Sequence, residues 1–170
     1  IDDLIKFVPG ANGAQVAQNV GQQEGSGFEL ETEWKPRENL RVIANYAFQK
    51  SEDATLNEDA ARAPEQQAYL RADWRLRQNW SLTGELHWVA QRNREPADPR
   101  DDIDDFTLVN LNLERRNLME RLDLGLRVRN LFDQNASEPS PTEAVPGGSL
   151  IPDDFPLEGR SVYLTARLRF

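Results

Sequence analysis

From one end of the chain to the other, stretches in which apolar and polar residues alternate strictly are joined by connections that run long, short, long, short, long, short, long. Alternation with period two marks a β-strand whose two faces meet different surroundings. About eight such stretches occur, and no helical periodicity competes with them. The sharpest is the last, Gly159 to Phe170, which reads GRSVYLTARLRF. Val162, Leu164, Ala166, Leu168 and Phe170 fall on one face, and Ser161, Tyr163, Thr165, Arg167 and Arg169 on the other. A chain end usually frays, so a strand in water gains little by finishing on Phe. A strand with lipid along one face does gain, and a closed barrel leaves no free edge. Taken alone, the stretch also suits an amphipathic strand of a soluble sandwich.

In chain order, Ile1 to Val8 reads as the end of a strand, and Pro9, Gly10, Asn12 and Gly13 as a loop. An extended stretch from about Ala17 to Trp34 follows. Phe28, Leu30, Thr32 and Trp34 share one face there, and Glu29, Glu31 and Glu33 the other. Three carboxylates at period two must face water. Lys35 to Asn39 is a turn, and Leu40, Val42, Ala44, Tyr46 and Phe48 make the next apolar face. Ser51 to Glu65 reads as an acidic loop. Strands then follow over 67–77 and 80–90, joined by Gln78-Asn79, and over 107–114 and 122–129, joined by Asn117 to Glu120. Arg92 to Asp104 and Gln134 to Glu158 are the remaining long connections.

Outer-membrane barrels have this rhythm, with short periplasmic turns and longer extracellular loops. The expectation is therefore all-β: about eight antiparallel transmembrane strands in a meander, with Phe170 at the periplasmic rim. Trp34, Trp74 and Trp80 would then form a periplasmic aromatic girdle. Trp88, with Tyr46, Phe48, Phe106 and Phe132, would stand toward the outer ends. Trp80 and Trp88 share a face, and at about 3.3 Å per residue and a tilt near 45° they differ by roughly 19 Å in height, close to the apolar band of such barrels. High strand propensity of aromatic residues is the alternative account, and the agreement with the loop lengths favours the girdles.

Composition narrows the classes. No run of about 18 apolar residues exists, so a transmembrane helix is excluded, and a mean hydropathy of −0.71 suits a barrel whose lumen and loops are polar. A formal charge of −9 argues against a nucleic-acid partner. Without Cys there are no disulfides, thiolates or thiolate zinc sites. The chain opens IDDLIKF, with neither Met nor a signal peptide. A cut inside a longer protein is expected, a processed mature start being the alternative.

No residue set points to catalysis, a cofactor or a metal. Asp101, Asp102, Asp104 and Asp105 flank Ile103, enough oxygens for Ca²⁺, but the glycine and distal Glu of an EF-hand loop are missing, and a solvated acidic loop fits better. Nothing in the sequence pushes the pKa values of Glu29, Glu31 and Glu33 apart, as acid–base work requires. His87, among Ser, Thr and Glu at period two, reads as a lumen residue. No nucleophile elbow or phosphate loop is present. Arg71, Arg75, Arg77, Arg127, Arg129, Arg167 and Arg169 are expected to point inward, pairing with Glu29 to Glu33 or with an internal plug.

The stretch RVRNLFDQ, with Asn130, Leu131, Phe132 and Asp133, resembles the penultimate-strand ending of TonB-dependent outer-membrane receptors. There the chain continues through a long loop to Gly-Arg and a last strand ending in Phe, here Gly159-Arg160 through Phe170. Residues 27–49 and 103–117 also resemble strands of that barrel. The resemblance implies that residues 1–170 are the C-terminal portion of a barrel of roughly 22 strands, open here, with the plug domain and the TonB-binding segment absent. It further implies that the apolar residues of the last strand, from Val162 to Phe170, are a signal to the barrel-assembly machinery. Other implied partners are outer-membrane lipid, TonB through the missing N-terminal region, and an imported nutrient. A ferric siderophore is the first expectation, with cobalamin, haem or an oligosaccharide open. A complete eight-stranded barrel, acting as adhesin or structural barrel, and a soluble β-rich binding domain are the alternatives.

Overall fold

A computed structural model of the chain describes residues 2, 4–9, 14–54, 58–59, 63–94, 98–140 and 153–170. Its elements are β1 (Leu4–Pro9), β2 (Gln15–Gly21), β3 (Gln23–Arg37), β4 (Leu40–Asp53), β5 (Glu58–Asp59), β6 (Gln66–Arg77), β7 (Trp80–Ala90), β8 (Phe106–Leu118), β9 (Leu122–Arg129), β10 (Ser137–Glu138), β11 (Phe155–Pro156) and β12 (Ser161–Leu168). No helix occurs among the described residues. Every long alternating stretch of the sequence is a strand, β2 and β3 being one extended stretch interrupted at Gln22. The two-residue strands β5, β10 and β11 lie within the connections read as loops. The loop expected at Gly10 to Gly13 lies outside the described residues, as do Gly147 and Gly148.

The main sheet runs β12-β9-β8-β7-β6-β4-β3, antiparallel throughout, with β5 added beside β4. It is a meander in chain order. β1 and β2 form a separate hairpin, and β10 pairs with β11. The end strands β3 and β12 do not pair with each other, so the sheet is open and the closed eight-stranded alternative is not what the chain forms.

The faces follow the alternation. Phe28, Leu30, Trp34, Leu70, Trp74, Leu76, Trp80, Leu124, Leu126, Val162, Leu164 and Leu168 are exposed large apolar residues. A soluble sandwich would cover such a face with a second layer. Among the described residues the only buried apolar side chains are Ala90, Ile103, Phe106 and Ala136, all at the long-loop end of the sheet. An apolar surface this large, left bare, requires an apolar surrounding.

The short-turn end has a repeating construction. Each of the hairpins β3–β4, β6–β7 and β8–β9 carries a register shift just before its turn, between Trp34 and Arg37, Arg75 and Arg77, and Arg115 and Leu118. Bulges of this kind raise the local twist and occur at barrel rims. Each turn also accepts a hydrogen bond from the next descending strand. Arg75 N donates to Asn39 O, Arg116 N to Asn79 O and Arg169 N to Arg121 O, at 2.8 to 2.9 Å. The turns at Asn117, Met119 and Glu120 use positive φ values of 55°, 50° and 66°. The shift in β6 corrects one expectation. It pairs Arg77 with Trp80, in register with the apolar face, whereas uninterrupted alternation would turn Arg77 inward.

Candidate functional site

The polar face is a continuous water-facing wall. One hollow runs from Lys35 to Arg129 across β3 to β9, and a second from Asn112 to Arg169 across β8, β9 and β12. Strand pairing brings Arg71 opposite Glu85 and Asp73 opposite Thr83. Arg71 donates from Nε to both Asp73 carboxylate oxygens at 3.0 and 3.1 Å, and from Nη1 to Glu85 Oε1 at 3.1 Å. Thr83 and Tyr69 donate to Asp73 and Glu85 at 2.9 and 3.0 Å. Tyr69 meets His87 edge-on, with ring centroids 5.1 Å apart. On the edge strand, Arg41 and Lys35 hold Glu33 at 2.8 and 3.1 Å. The arginines expected to pair with Glu29 to Glu33 thus find other partners: Arg71 as above, Arg75 the Glu38 carbonyl, Arg129 Glu158, and Arg169 Asp123. Arg71 and Arg169 meet carboxylates on their own or an adjacent strand, and Arg75 and Arg129 meet groups in the neighbouring connections, a geometry that alternation alone does not give. Water screens half-exposed pairs of this kind, so the network orders the wall more than it stabilises it.

At the opposite end, three arginines of the β7–β8 connection tie it to the β9–β12 connection. Arg92, 2% exposed, donates to Ser137 O at 2.6 Å and to Asp104 O, and lies 4.8 Å from the Phe106 ring centroid. Phe106, expected among the outer aromatics, is therefore turned inward and buried beneath a cation. Arg94 takes Asp154 with two hydrogen bonds, at 3.0 and 2.5 Å. Arg100 grips the Asp98 carboxylate and donates to Ser140 Oγ at 2.7 Å. The guanidinium of Arg100 holds the Asp98 carboxyl down at about 2, and that of Arg94 lowers Asp154. The aspartates around Ile103 do not converge: Ile103 is buried in a bridge with Arg92, and Asp101, Asp102, Asp104 and Asp105 are exposed. No group of three acidic or imidazole ligands suited to a metal occurs among the described residues.

The Asn-Leu-Phe-Asp motif has a geometric role. Asn130 is 3% exposed, with φ of 47°. Its Nδ2 donates to Gln134 O and Glu158 O at 2.9 and 3.1 Å, and its Oδ1 accepts from Gln134 N at 2.9 Å. Asp133 Oδ1 accepts from Arg160 N at 2.8 Å. Leu131 N donates to Val109 O, while the Phe132 side chain is exposed. Of the tryptophans, Trp34, Trp74 and Trp80 are exposed toward the short-turn end, and Trp88 is half-buried toward the other. On β12, Val162, Leu164, Ala166 and Leu168 lie in the ladder with β9, and Phe170 lies beyond its last pair.

Comparison with known proteins agrees with this architecture. The family described as TonB dependent receptor-like, beta-barrel matches residues 1–131. The metal-pseudopaline receptor CntO of Pseudomonas aeruginosa is 29% identical over 133 residues, which are 72% of this chain and 18% of that receptor. Among solved structures, the copper transporter OprC superposes with a TM-score of 0.75 at 21% identity, over 99% of this chain and 27% of the transporter. The ferric-catecholate import receptor Fiu of E. coli K12 superposes with a TM-score of 0.70 at 18% identity, over 99% of this chain and 24% of the receptor. This chain therefore spans about a fifth to a quarter of the length of these proteins. Because the family match over residues 1–131 takes in β1 to β9, it shows what the bare apolar face was made for: the chain belongs to the TonB-dependent receptor-like β-barrels, and its sheet is a stretch of outer-membrane barrel wall.

Proposed function

We propose that residues 1–170 are the C-terminal barrel segment of a receptor that imports a metal held by a small chelating ligand, a ferric siderophore first among them, in a TonB-dependent manner. The observation that carries this reading is the two-faced sheet. An apolar face backs a wall of guanidinium, carboxylate, amide and hydroxyl groups that stays wet across β3 to β12. Such a wall suits a polar interior through which a hydrated or chelated cargo passes. The match to a metal-pseudopaline receptor supports a metal complex as cargo. In this reading the short turns face the periplasm and the arginine-tied loops face outward. The tryptophans form girdles at the two interfaces, and β12 is presented to the assembly machinery. TonB acts through a region outside these residues. The reading makes this a receptor and not an enzyme.

Uptake tests it. The complete receptor, in cells deprived of their own receptors, is offered radiolabelled ferric siderophores and, separately, nickel, zinc and copper chelates, with TonB present or deleted. TonB-dependent accumulation of a ferric siderophore is expected. Accumulation of another metal chelate alone would replace the iron assignment, and accumulation indifferent to TonB would overturn the coupling.

A further inference from the structure

Three residues form a row across neighbouring strands beside the Gln78–Asn79 turn. The β6–β7 register sets Arg77 opposite Trp80, and the β7–β8 register sets Trp80 opposite Arg115. Arg115 follows Leu111 and Leu113 at period two and stands opposite Leu124 of β9, so it belongs to the apolar, outward face. Its guanidinium carbon lies 5.5 Å from the Trp80 ring centroid. The nearby strand carboxylates, Glu114 and Asp123, are on the other face, where Arg116 and Arg169 hold them at 2.8 and 2.7 Å. On the outward face, the positions paired with Arg77 and Arg115 are Trp80 and Leu124.

A cation on the lipid side of a barrel is costly at mid-depth and nearly free at the rim. Its aliphatic stem lies along apolar surface while its head reaches the interface. An indole favours the same depth. Two guanidinium groups there lack a carboxylate across the ladder, and guanidinium forks match phosphate oxygens. We propose that Arg77, Trp80 and Arg115 form a binding site on the outer surface of the barrel for the phosphate of an anionic phospholipid of the periplasmic leaflet, phosphatidylglycerol in class. The site anchors the short-turn rim at a fixed depth. This inference rests on the short turns being periplasmic, as proposed above.

The test uses the complete receptor, solubilised and titrated with phosphatidylglycerol, with the first bound lipid read by native mass spectrometry. Phosphatidylcholine is the neutral control, and lipid A, whose phosphates lie in the other leaflet, is the second arm. Affinity for phosphatidylglycerol should fall about fivefold for each arginine replaced in Arg77→Gln and Arg115→Gln, the factor a basic residue contributes at a membrane surface. Arg115→Lys should recover part of the loss. Heat-modifiable mobility confirms that each variant is folded. Unchanged affinity in the double variant, or no wild-type preference over phosphatidylcholine, overturns the site. A loss confined to lipid A overturns it too. A tag at Glu120, shielded on intact cells if that turn is periplasmic, separately reports the orientation. The site and the topology can therefore fail independently.

Discussion

Asn130 donates a side-chain hydrogen bond to the backbone carbonyl of Glu158 across 28 residues of chain, at 3.1 Å. With its two bonds to Gln134, this closes the base of the last long connection and sets the entry of β12 beside β9. Asn also tolerates the left-handed φ of 47° found there. Asn130→Ala leaves buried backbone groups without partners, at about 1–3 kcal/mol each. The complete receptor carrying it should lose its heat-modifiable folded form at a clearly lower temperature. Asn130→Gly, which keeps the φ and loses the bonds, should do almost as badly; a near-normal Asn130→Gly would mean that backbone conformation is the main requirement.

The arginine tie between the two long connections has a defined pH limit. Asp98 is held at about 2, against an ordinary 3.8, chiefly by its hydrogen bonds to Arg100. A depressed carboxyl contributes stability above its unfolded pKa and loses it as pH falls through the folded one. The tie should therefore be complete above about pH 4 and fail toward pH 2. The amides of Arg100 and Ser140 donate to Asp98 and Asp154, so their hydrogen exchange reports it directly. A transition centred near pH 4, where an unpartnered aspartate titrates, would show that the arginines do not hold these carboxylates. Arg100→Gln should move the transition upward.

The strand faces were legible because each pair of neighbours in β4, β6, β7, β8, β9 and β12 must divide between two media, and period two records that division residue by residue. The rhythm of connections was legible for the same reason: a meander through a slab has two kinds of end. Arg77 was misread because a one-residue shift changes a side chain's face without changing the composition around it. Arg92 over Phe106 was invisible because its partners, Asp104 and Ser137, lie 12 and 45 residues away in connections without periodicity. The Asn-Leu-Phe-Asp motif was recognisable as a pattern, but its function as a clamp needed the Gln134 and Glu158 carbonyls in place.

Two glycines should respond differently to the same change. A Cβ at Gly27 would lie 2.3 Å from the Phe48 carbonyl oxygen and 2.9 Å from Gln49 Cα, both backbone atoms of the adjacent strand. Gly27→Ala must push β3 from β4 and should cost about 1–3 kcal/mol. At Gly84 the added carbon would lie 3.6 Å from Leu111 Cδ2, an ordinary contact, so Gly84→Ala should be nearly neutral. Denaturant unfolding of both variants of the complete receptor decides; equal behaviour would mean the β3–β4 spacing is looser than described.

Leu126 and Arg127 test the faces. Leu126 stands between Leu113 and Leu164, and Arg127 between Asn112 and Tyr163. Leu126→Arg places a cation against lipid, at about 2–4 kcal/mol near mid-depth, whereas Arg127→Leu removes one from a wet wall at little cost. The first should assemble poorly in outer membranes and the second well. Equal yields would contradict the register of β9.

Phe170 is the sharpest case, because its packing is so slight. The β12–β9 ladder ends at Leu168 opposite Leu122, and Phe170 is fully exposed beyond it. Burying a Phe completely contributes about 1.5–3 kcal/mol, and a side chain past the last pair realises little of that. If stability were the only issue, deleting Phe170 should matter less than Leu168→Ala, which removes an apolar side chain from the ladder. The opposite is expected for assembly. An unpaired strand edge is a hazard until the barrel closes, so if β12 is presented to the assembly machinery as proposed above, Phe170 acts before stability does. In the complete receptor, the deletion should strongly reduce the amount reaching the outer membrane while leaving the assembled fraction about as heat-resistant as wild type. Leu168→Ala should do the reverse, lowering heat resistance at nearly normal amounts. If the deletion assembles normally, Phe170 is only one more apolar side chain at the rim, and the terminal strand is specified by its ladder with β9 alone.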